Sequence, residues 1–180
     1  MGFLRLTLTL LVVAACSQAA TLERLSFESM AQQSTSIVRG RVSEARAVRA
    51  GGIIYTLYRI EVSAWWKGTQ SEGLEIATIG GSHDGVTQRF GGSPSLQPGT
   101  EYVAFLWEGA SGRSQILGLT QGLFEVVESA VGEPMLLRQA IEDVTLVAEA
   151  GREIGALKLS FTEFEGKIRK ALSAQEASTP

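Results

Sequence analysis

The sequence predicts a mainly β domain of antiparallel strands, with a short helix near its start and a second helix at its end. Three observations lead to this prediction: segments that alternate apolar and polar residues, glycine and proline turn signals between them, and a helical period over residues 160–173. Strands and helices do not alternate along the chain, which argues against a parallel α/β fold. The length of 180 residues, of which 44% are hydrophobic, suits a single domain over residues 20–173.

Residues 1–19 have the pattern of a signal peptide. An apolar stretch of about ten residues, Leu6 to Ala15, has the length of a signal h-region and is too short to span a membrane. Two cleavage routes stay open. Small residues favour ordinary cleavage after Ala19, while Val13–Cys16 resembles a lipobox, in which the chain is cut just before Cys16 and that cysteine receives a lipid. We therefore expect an extracytoplasmic protein, periplasmic or secreted, that is held at a membrane only if Cys16 is acylated.

The mature chain begins with a short helix and a long hairpin. Ser26 is a suitable N-cap for the helix, which the polar run at 32–36 ends. Residues 37–48 and 53–65 predict two antiparallel strands, joined at Gly51–Gly52 by a turn that requires positive φ. One face of the second strand is the more apolar and should point to the core: Ile54, Thr56, Tyr58, Ile60, Val62 and Ala64.

The remaining strands follow at short intervals. A third strand is predicted at 74–79, and the glycine- and proline-rich segment 80–99 is predicted as a long loop around a short strand at 86–90. A loop of that length is usually functional or mobile. The run Tyr102–Leu106 is almost entirely apolar, as is typical of a central strand. The other predicted strands are 116–119 and 123–127, with two weaker ones at 135–138 and 144–148.

The C-terminal segment changes to a helical period. Ser160 and Glu163 have the spacing of a capping box, and an apolar face follows as far as residue 173. Residues 174–180 are polar and predict a disordered tail. Many short strands with long loops and a terminal helix predict a small closed barrel of the OB type or a sandwich.

Composition and motifs exclude several functional classes. Sixteen basic and nineteen acidic residues give a net charge of -3, without the basic surplus of a nucleic-acid-binding protein. One Cys and one His are too few for a thiolate–imidazole zinc site. No phosphate-binding glycine loop and no G-x-S-x-G nucleophile elbow occurs in the sequence. We therefore expect no cofactor, no metal and no enzymatic activity.

Aromatic residues at strand ends are the best candidates for binding a partner. Trp65 and Trp66 are consecutive in a strand and must point to opposite faces, so one can be exposed while the other packs in the core. An exposed Trp beside the 80–99 loop would anchor a partner protein. The candidate partner-binding residues are Trp65, Trp66, His83, Phe90 and Trp107.

Three runs carry a resemblance to known proteins. Together they are similar to a group of uncharacterised exported bacterial proteins, and their order also resembles the netrin-like modules and the tissue inhibitors of metalloproteinases. The resemblance spans about residues 36–127 and implies an OB-like barrel flanked by helices, with binding or inhibition rather than catalysis. It does not extend to the inhibitors' zinc-chelating N-terminal Cys, because Cys16 is either removed or acylated. The runs are Ser36–Val42, Tyr58–Val62 followed by Trp66–Gly68, and Pro98–Leu106.

Three functional hypotheses follow from the sequence. The first is an exported, non-enzymatic module that binds a protein partner, and the second is a barrel that binds a small molecule or lipid in an apolar cavity. The third is a hydrolase in which His83 acts with a loop serine, Ser82 or Ser93. A position in a glycine-rich loop favours an exposed His83 without a catalytic role, so the third hypothesis is the weakest.

Overall fold

The computed structural model describes residues 21–71, 73–109, 112–129, 132–138, 145–147 and 157–178. Among these residues the fold is mainly β, with a small N-terminal helix and a C-terminal helix. The predicted signal peptide at 1–19 and Cys16 within it lie outside the described residues. The fold class expected from the sequence is therefore confirmed at this level.

The described elements have the following order along the chain. They are β1 Thr21–Glu23, α1 Phe27–Gln33, β2 Ser36–Ala50, β3 Ile53–Lys67, β4 Gly73–Ile79, β5 Gly81–His83, β6 Val86–Gln88, β7 Glu101–Glu108, β8 Ser114–Ile116, a 3₁₀ helix Leu119–Gly122, β9 Leu123–Val127, β10 Met135–Arg138, β11 Thr145–Val147, β12 Leu157–Ser160 and α2 Phe161–Ser178.

The long hairpin predicted from the sequence is confirmed. β2 and β3 pair antiparallel from Ala50 and Ile53 at the turn to Ile37 and Lys67 at the open end. Three register shifts interrupt the ladder, and such bulges increase the twist of a strand pair. The predicted core face of β3 is buried or half-buried throughout, whereas on the opposite face only Leu57 is buried.

The predicted closed barrel is not found. The main sheet has the order β12-β10-β9-β7-β2-β3-β4-β8, and β8 also pairs with β7 over three residues. β8 meets β4 through a single register pair, Ile76 with Ser114, so the sheet is not closed into a barrel. The reason is the length of β8: it ends at Ile116, and Gly118 in the left-handed conformation then directs the chain into the 3₁₀ helix.

The segment predicted as a long loop contains a hairpin instead. Within 80–99, β5 pairs antiparallel with β6, and only the second of these strands was predicted. β1 and β12 were not predicted either; β1 pairs with β11, and β12 pairs with β10. All three unpredicted strands have only three or four residues, so their sequences carry little alternation.

The sheet carries a hydrophobic core on each face. The first core lies between the sheet and the two helices, and Phe164 of α2 packs there against Phe105 and Phe124. The second core lies on the other face, between β2, β3, β4, β7 and β8. β7 contributes to both, because its alternate residues point to opposite faces: Tyr102–Leu106 are all buried, as a central strand requires.

The C-terminal helix begins as predicted and ends later. Glu163 Oε2 accepts from the Ser160 backbone N–H at 2.9 Å and Ser160 Oγ accepts from that of Glu163 at 3.2 Å, which confirms the capping box. The helix runs to Ser178, so the predicted disorder from residue 174 is wrong for this segment. Lys67 Nζ bonds Gln175 Oε1 at 3.2 Å and the carbonyl of Ala31 at 2.8 Å, which links the end of α2 to α1.

A half-buried ion pair between Arg39 and Glu101 connects β2 and β7 and also contacts α2 and β3. Arg39 on β2 donates two hydrogen bonds to the Glu101 carboxylate, at 2.8 and 3.1 Å, and its guanidinium lies 4.8 Å from the ring centre of Phe161 at the start of α2. The hydrogen bond from Arg39 holds the pKa of Glu101 below its ordinary value, although burial opposes this. Ser63 Oγ on β3 also lies 3.3 Å from the carboxylate.

The lowered pKa of Glu101 predicts acid sensitivity. Stability from this carboxylate is fully present above its ordinary pKa and is lost as the pH falls through the lower, folded-state pKa. We expect Glu101→Gln to lower the free energy of unfolding at pH 7 by about 1–3 kcal/mol, and to flatten the acid side of the stability profile. Urea unfolding at pH 7 and at pH 3 measures both effects. Glu75→Gln, which breaks the exposed pair with Arg46, is the control; an equal effect of the two variants would contradict the prediction.

Candidate functional site

The long β2–β3 hairpin forms a ribbon. The β5–β6 hairpin lies across the end of this ribbon that carries the Gly51–Gly52 turn, and side-chain hydrogen bonds hold it there. Gln88 Oε1 accepts from the backbone N–H of Ile54 at 2.8 Å, and its Nε2 donates to the carbonyl of Gly52 at 2.9 Å. Thr56 Oγ1 donates to the carbonyl of Gly80 at 2.8 Å. These bonds replace a strand ladder with β3, so the hairpin has a fixed position on the ribbon.

Gly81 lies close against Thr56 of β3. Its φ is 132°, a conformation that side chains disfavour, and a Cβ atom added there would overlap Thr56 Oγ1. The hairpin can therefore reach the ribbon only because this residue is glycine.

The segment after the hairpin returns to the sheet and forms the second wall of a groove. Ser93 Oγ donates to the carbonyl of Ile79 at 2.6 Å, and its backbone N–H donates to the carbonyl of Phe90 at 3.1 Å. Pro94 and Leu96 are buried behind it. The chain from residue 89 to 96 is thus anchored by backbone and side-chain contacts.

The groove between these segments has a volume of about 640 Å³. Arg89 is the charged residue among the described lining residues, and Phe90 supplies an aromatic ring. Most of the remaining lining consists of glycines and hydroxyl-bearing side chains, so the groove presents polar groups together with apolar surface. The hydroxyls belong to Thr56, Tyr58, Thr78, Ser82, Thr87, Ser93, Ser95 and Thr120.

One of these hydroxyls is unpaired. Thr120 Oγ1 is buried and has no hydrogen-bond partner among the residues that the structure describes. It lines both the groove and a small adjoining cavity of about 50 Å³, which Tyr102 and Glu125 also line. A buried hydroxyl without a partner costs about 1–3 kcal/mol, so this atom is an available hydrogen-bonding group at the groove.

His83 is not joined to either candidate serine. Its Nε2 lies 3.4 Å from Asp84 Oδ2, and the side chain is partly exposed on β5. Ser82 Oγ is 2.7 Å from Thr87 Oγ1, while Ser93 Oγ bonds the Ile79 carbonyl. The described residues therefore contain no Ser–His hydrogen bond of the kind that the hydrolase hypothesis needs.

The three tryptophans lie away from the groove. Trp65 packs against the second core and donates from Nε1 to the Ser71 carbonyl at 3.1 Å. Trp66 packs edge-on against Phe164, with ring centres 5.2 Å apart. Trp107 is 37% exposed on β7, but none of the three is among the described residues that line the groove.

The exposed apolar residues of the hairpin region are Val86 and Phe90, at 44% and 40% exposure. Phe90 and His83 were predicted as partner-binding residues; Val86 was not. The expectation of an exposed Trp beside the 80–99 segment is therefore replaced by Val86 and Phe90. A valine that alternates with polar neighbours is typical of any strand, so no feature of the sequence alone predicts that Val86 is exposed.

The described residues contain no group of three or more potential metal ligands, and none of their helices is long and apolar enough to cross a membrane. A scan against models of protein families finds no match for the chain, and a search of the curated proteins finds none either.

The close approach at Gly81 predicts a large effect of a small substitution. We expect Gly81→Ala to lower the free energy of unfolding by about 1–3 kcal/mol, because the added methyl group displaces Thr56 and the positive φ is strained. The control is Gly85→Ala, which has φ 75° and no described atom within 4 Å of the added Cβ, so that only the strain remains. Urea unfolding compares the two variants. Equal losses would show that the approach to Thr56 is not tight.

Proposed function

We propose that the protein is an exported, non-enzymatic binding module that holds an extended segment of a partner protein in the groove beneath the β5–β6 hairpin. The observation that carries this proposal is the placement of two exposed apolar side chains on an anchored segment: Phe90 lines the groove, and Val86 on β6 precedes the lining residue Thr87. Anchored apolar side chains lose little conformational freedom on binding, which favours their use as contact residues.

The lining of the groove favours a polypeptide over a lipid. An extended segment carries a backbone N–H and C=O at each residue, and these groups must find partners when they leave water. The Ser95 hydroxyl can donate and accept, and the hydrogen-bonded pair of Ser82 and Thr87 keeps oxygens that can accept further bonds. Arg89 adds a positive charge, so we propose that the bound segment contains an acidic residue. A lipid chain would leave these polar groups unpaired.

The netrin-like resemblance remains part of this proposal. The strands β7, β2, β3, β4 and β8 are neighbours in this order, and β8 also pairs with β7. The β4–β8 contact consists of a single residue pair. This order of neighbours supports an OB-like relationship. We carry over from that resemblance a binding role only. Export by residues 1–19, with or without a lipid on Cys16, belongs to the same proposal, and its support is the sequence pattern.

A pull-down tests the protein-binding proposal. The bait is the full chain expressed in its own host and recovered from the extracytoplasmic fraction. The mass of the recovered chain distinguishes cleavage after Ala19 from lipidation at Cys16. Recovery of only an unprocessed chain, from the cytoplasm, would contradict export. We expect the double variant Val86→Ser/Phe90→Ser to lose at least about tenfold in affinity for the captured partner, because it removes the apolar anchors.

The matched control is Trp107→Ser, which removes a similarly exposed aromatic residue outside the groove. A partner that binds the wild type and this control but not the double variant supports binding in the groove. A partner that binds all three equally overturns it. Circular dichroism of each variant checks that the fold is kept. Point substitutions are preferred to a loop deletion, because Leu96 of the same segment belongs to the second core.

A second candidate function, binding of a small polar molecule, is favoured by the unpaired hydroxyl of Thr120. Because that hydroxyl has no partner among the described residues, Thr120→Val removes an unsatisfied buried polar atom without changing the shape of the side chain. We therefore expect this variant to raise the free energy of unfolding by about 1 kcal/mol. Urea unfolding measures the change. Thr87→Val is the control, because it removes a hydroxyl that bonds Ser82; a loss of stability in Thr120→Val would show that its hydroxyl is satisfied.

A further inference from the structure

Arg138 is an arginine in the interior of the fold. It is the last residue of β10 and is only 7% exposed, beside the fully buried Phe124 and Leu136 of the first core. Its guanidinium lies 5.8 Å from the ring centre of Phe124. Arginine is seldom buried unless a group of opposite charge accompanies it, because the loss of hydration must be offset.

No carboxylate offsets this charge within the described part of the chain. Neither Arg138 nor its neighbour Arg24 forms an ion pair there, and Glu28, in the first turn of α1, bonds neither of them. Arg24 adds a second positive charge. Burial, and to a smaller extent the charge of Arg24, lower the pKa of Arg138 from its ordinary value.

Both arginines line a cavity of about 330 Å³ at the start of α1. The other walls are formed by Leu25, Ser26, Phe27 and Met30, which are mostly apolar. Apolar walls reduce the screening of charge, so the field of two guanidinium groups is strong inside such a cavity. The cavity shares no described lining residue with the groove beneath the β5–β6 hairpin.

We propose that Arg24 and Arg138 bind a small oxyanion, a carboxylate or a phosphate group, in the cavity between the end of β10 and the start of α1. Arg138 is held in place by the core and presents a pre-positioned guanidinium fork. Arg24 is exposed at the same cavity and can move to contact a second oxygen. Planar guanidinium groups match the geometry of carboxylate and phosphate oxygens, and the anion supplies the charge that the buried arginine lacks.

The test is an anion titration of the full chain followed by NMR of the arginine side-chain Nε–Hε groups. Sodium acetate and inorganic phosphate are added in separate arms at constant ionic strength, with chloride as the replaced salt. We expect a saturable shift of the Arg138 signal, and the arm with the lower dissociation constant identifies the preferred oxyanion. Arg24→Ala should raise that constant about tenfold, through loss of one charge-assisted contact.

Arg49→Ala is the matched control, because it removes an exposed arginine on β2 that has no ion pair among the described residues and should leave the dissociation constant unchanged. Arg138→Met should abolish the saturable response; if that variant does not fold, the comparison of Arg24→Ala with Arg49→Ala decides. A shift that does not saturate in either arm, or equal constants for wild type and Arg24→Ala, overturns the proposal.

Discussion

The burial of β7 on both of its faces is the constraint on which the rest of the structure depends. Its alternate residues belong to different cores, so the strand must lie between two layers of side chains. The helices cover one layer, and the curved part of the sheet formed by β3, β4 and β8 covers the other. β7 pairs with β2 only from Ser36 to Arg41, so the ribbon continues beyond it without this support.

This division separates a packed half of the molecule from a half that has fewer buried residues. Near β7, the helices, the aromatic cluster and the Arg39–Glu101 pair tie the elements together from several directions. Toward the turn at residues 51–52, hydrogen bonds to side chains hold the hairpin, and exposed residues outnumber buried ones. Polar anchoring leaves hydroxyls and backbone groups at the surface, whereas apolar anchoring would have covered them.

The sequence predicted those features whose signal is local. The β2–β3 hairpin, the two helices, the capping box at Ser160 and the apolar run of β7 each follow from a period or a cap within a few residues. Sheet closure, the strand at Gly81–His83 and the exposure of Val86 depend on which distant segment lies alongside. The tryptophans show the same limit, because an aromatic residue at a strand end has no pattern that distinguishes a packed ring from an exposed one.

The short contact between β4 and β8 has a further consequence for the groove. A single register pair joins these strands, fewer than at any other junction of the main sheet. Thr78 and Ile79 lie on one side of this junction, and Thr120 follows β8 on the other, so both sides contribute to the groove. The groove therefore takes its walls from both sides of the junction that has the fewest paired residues in the main sheet.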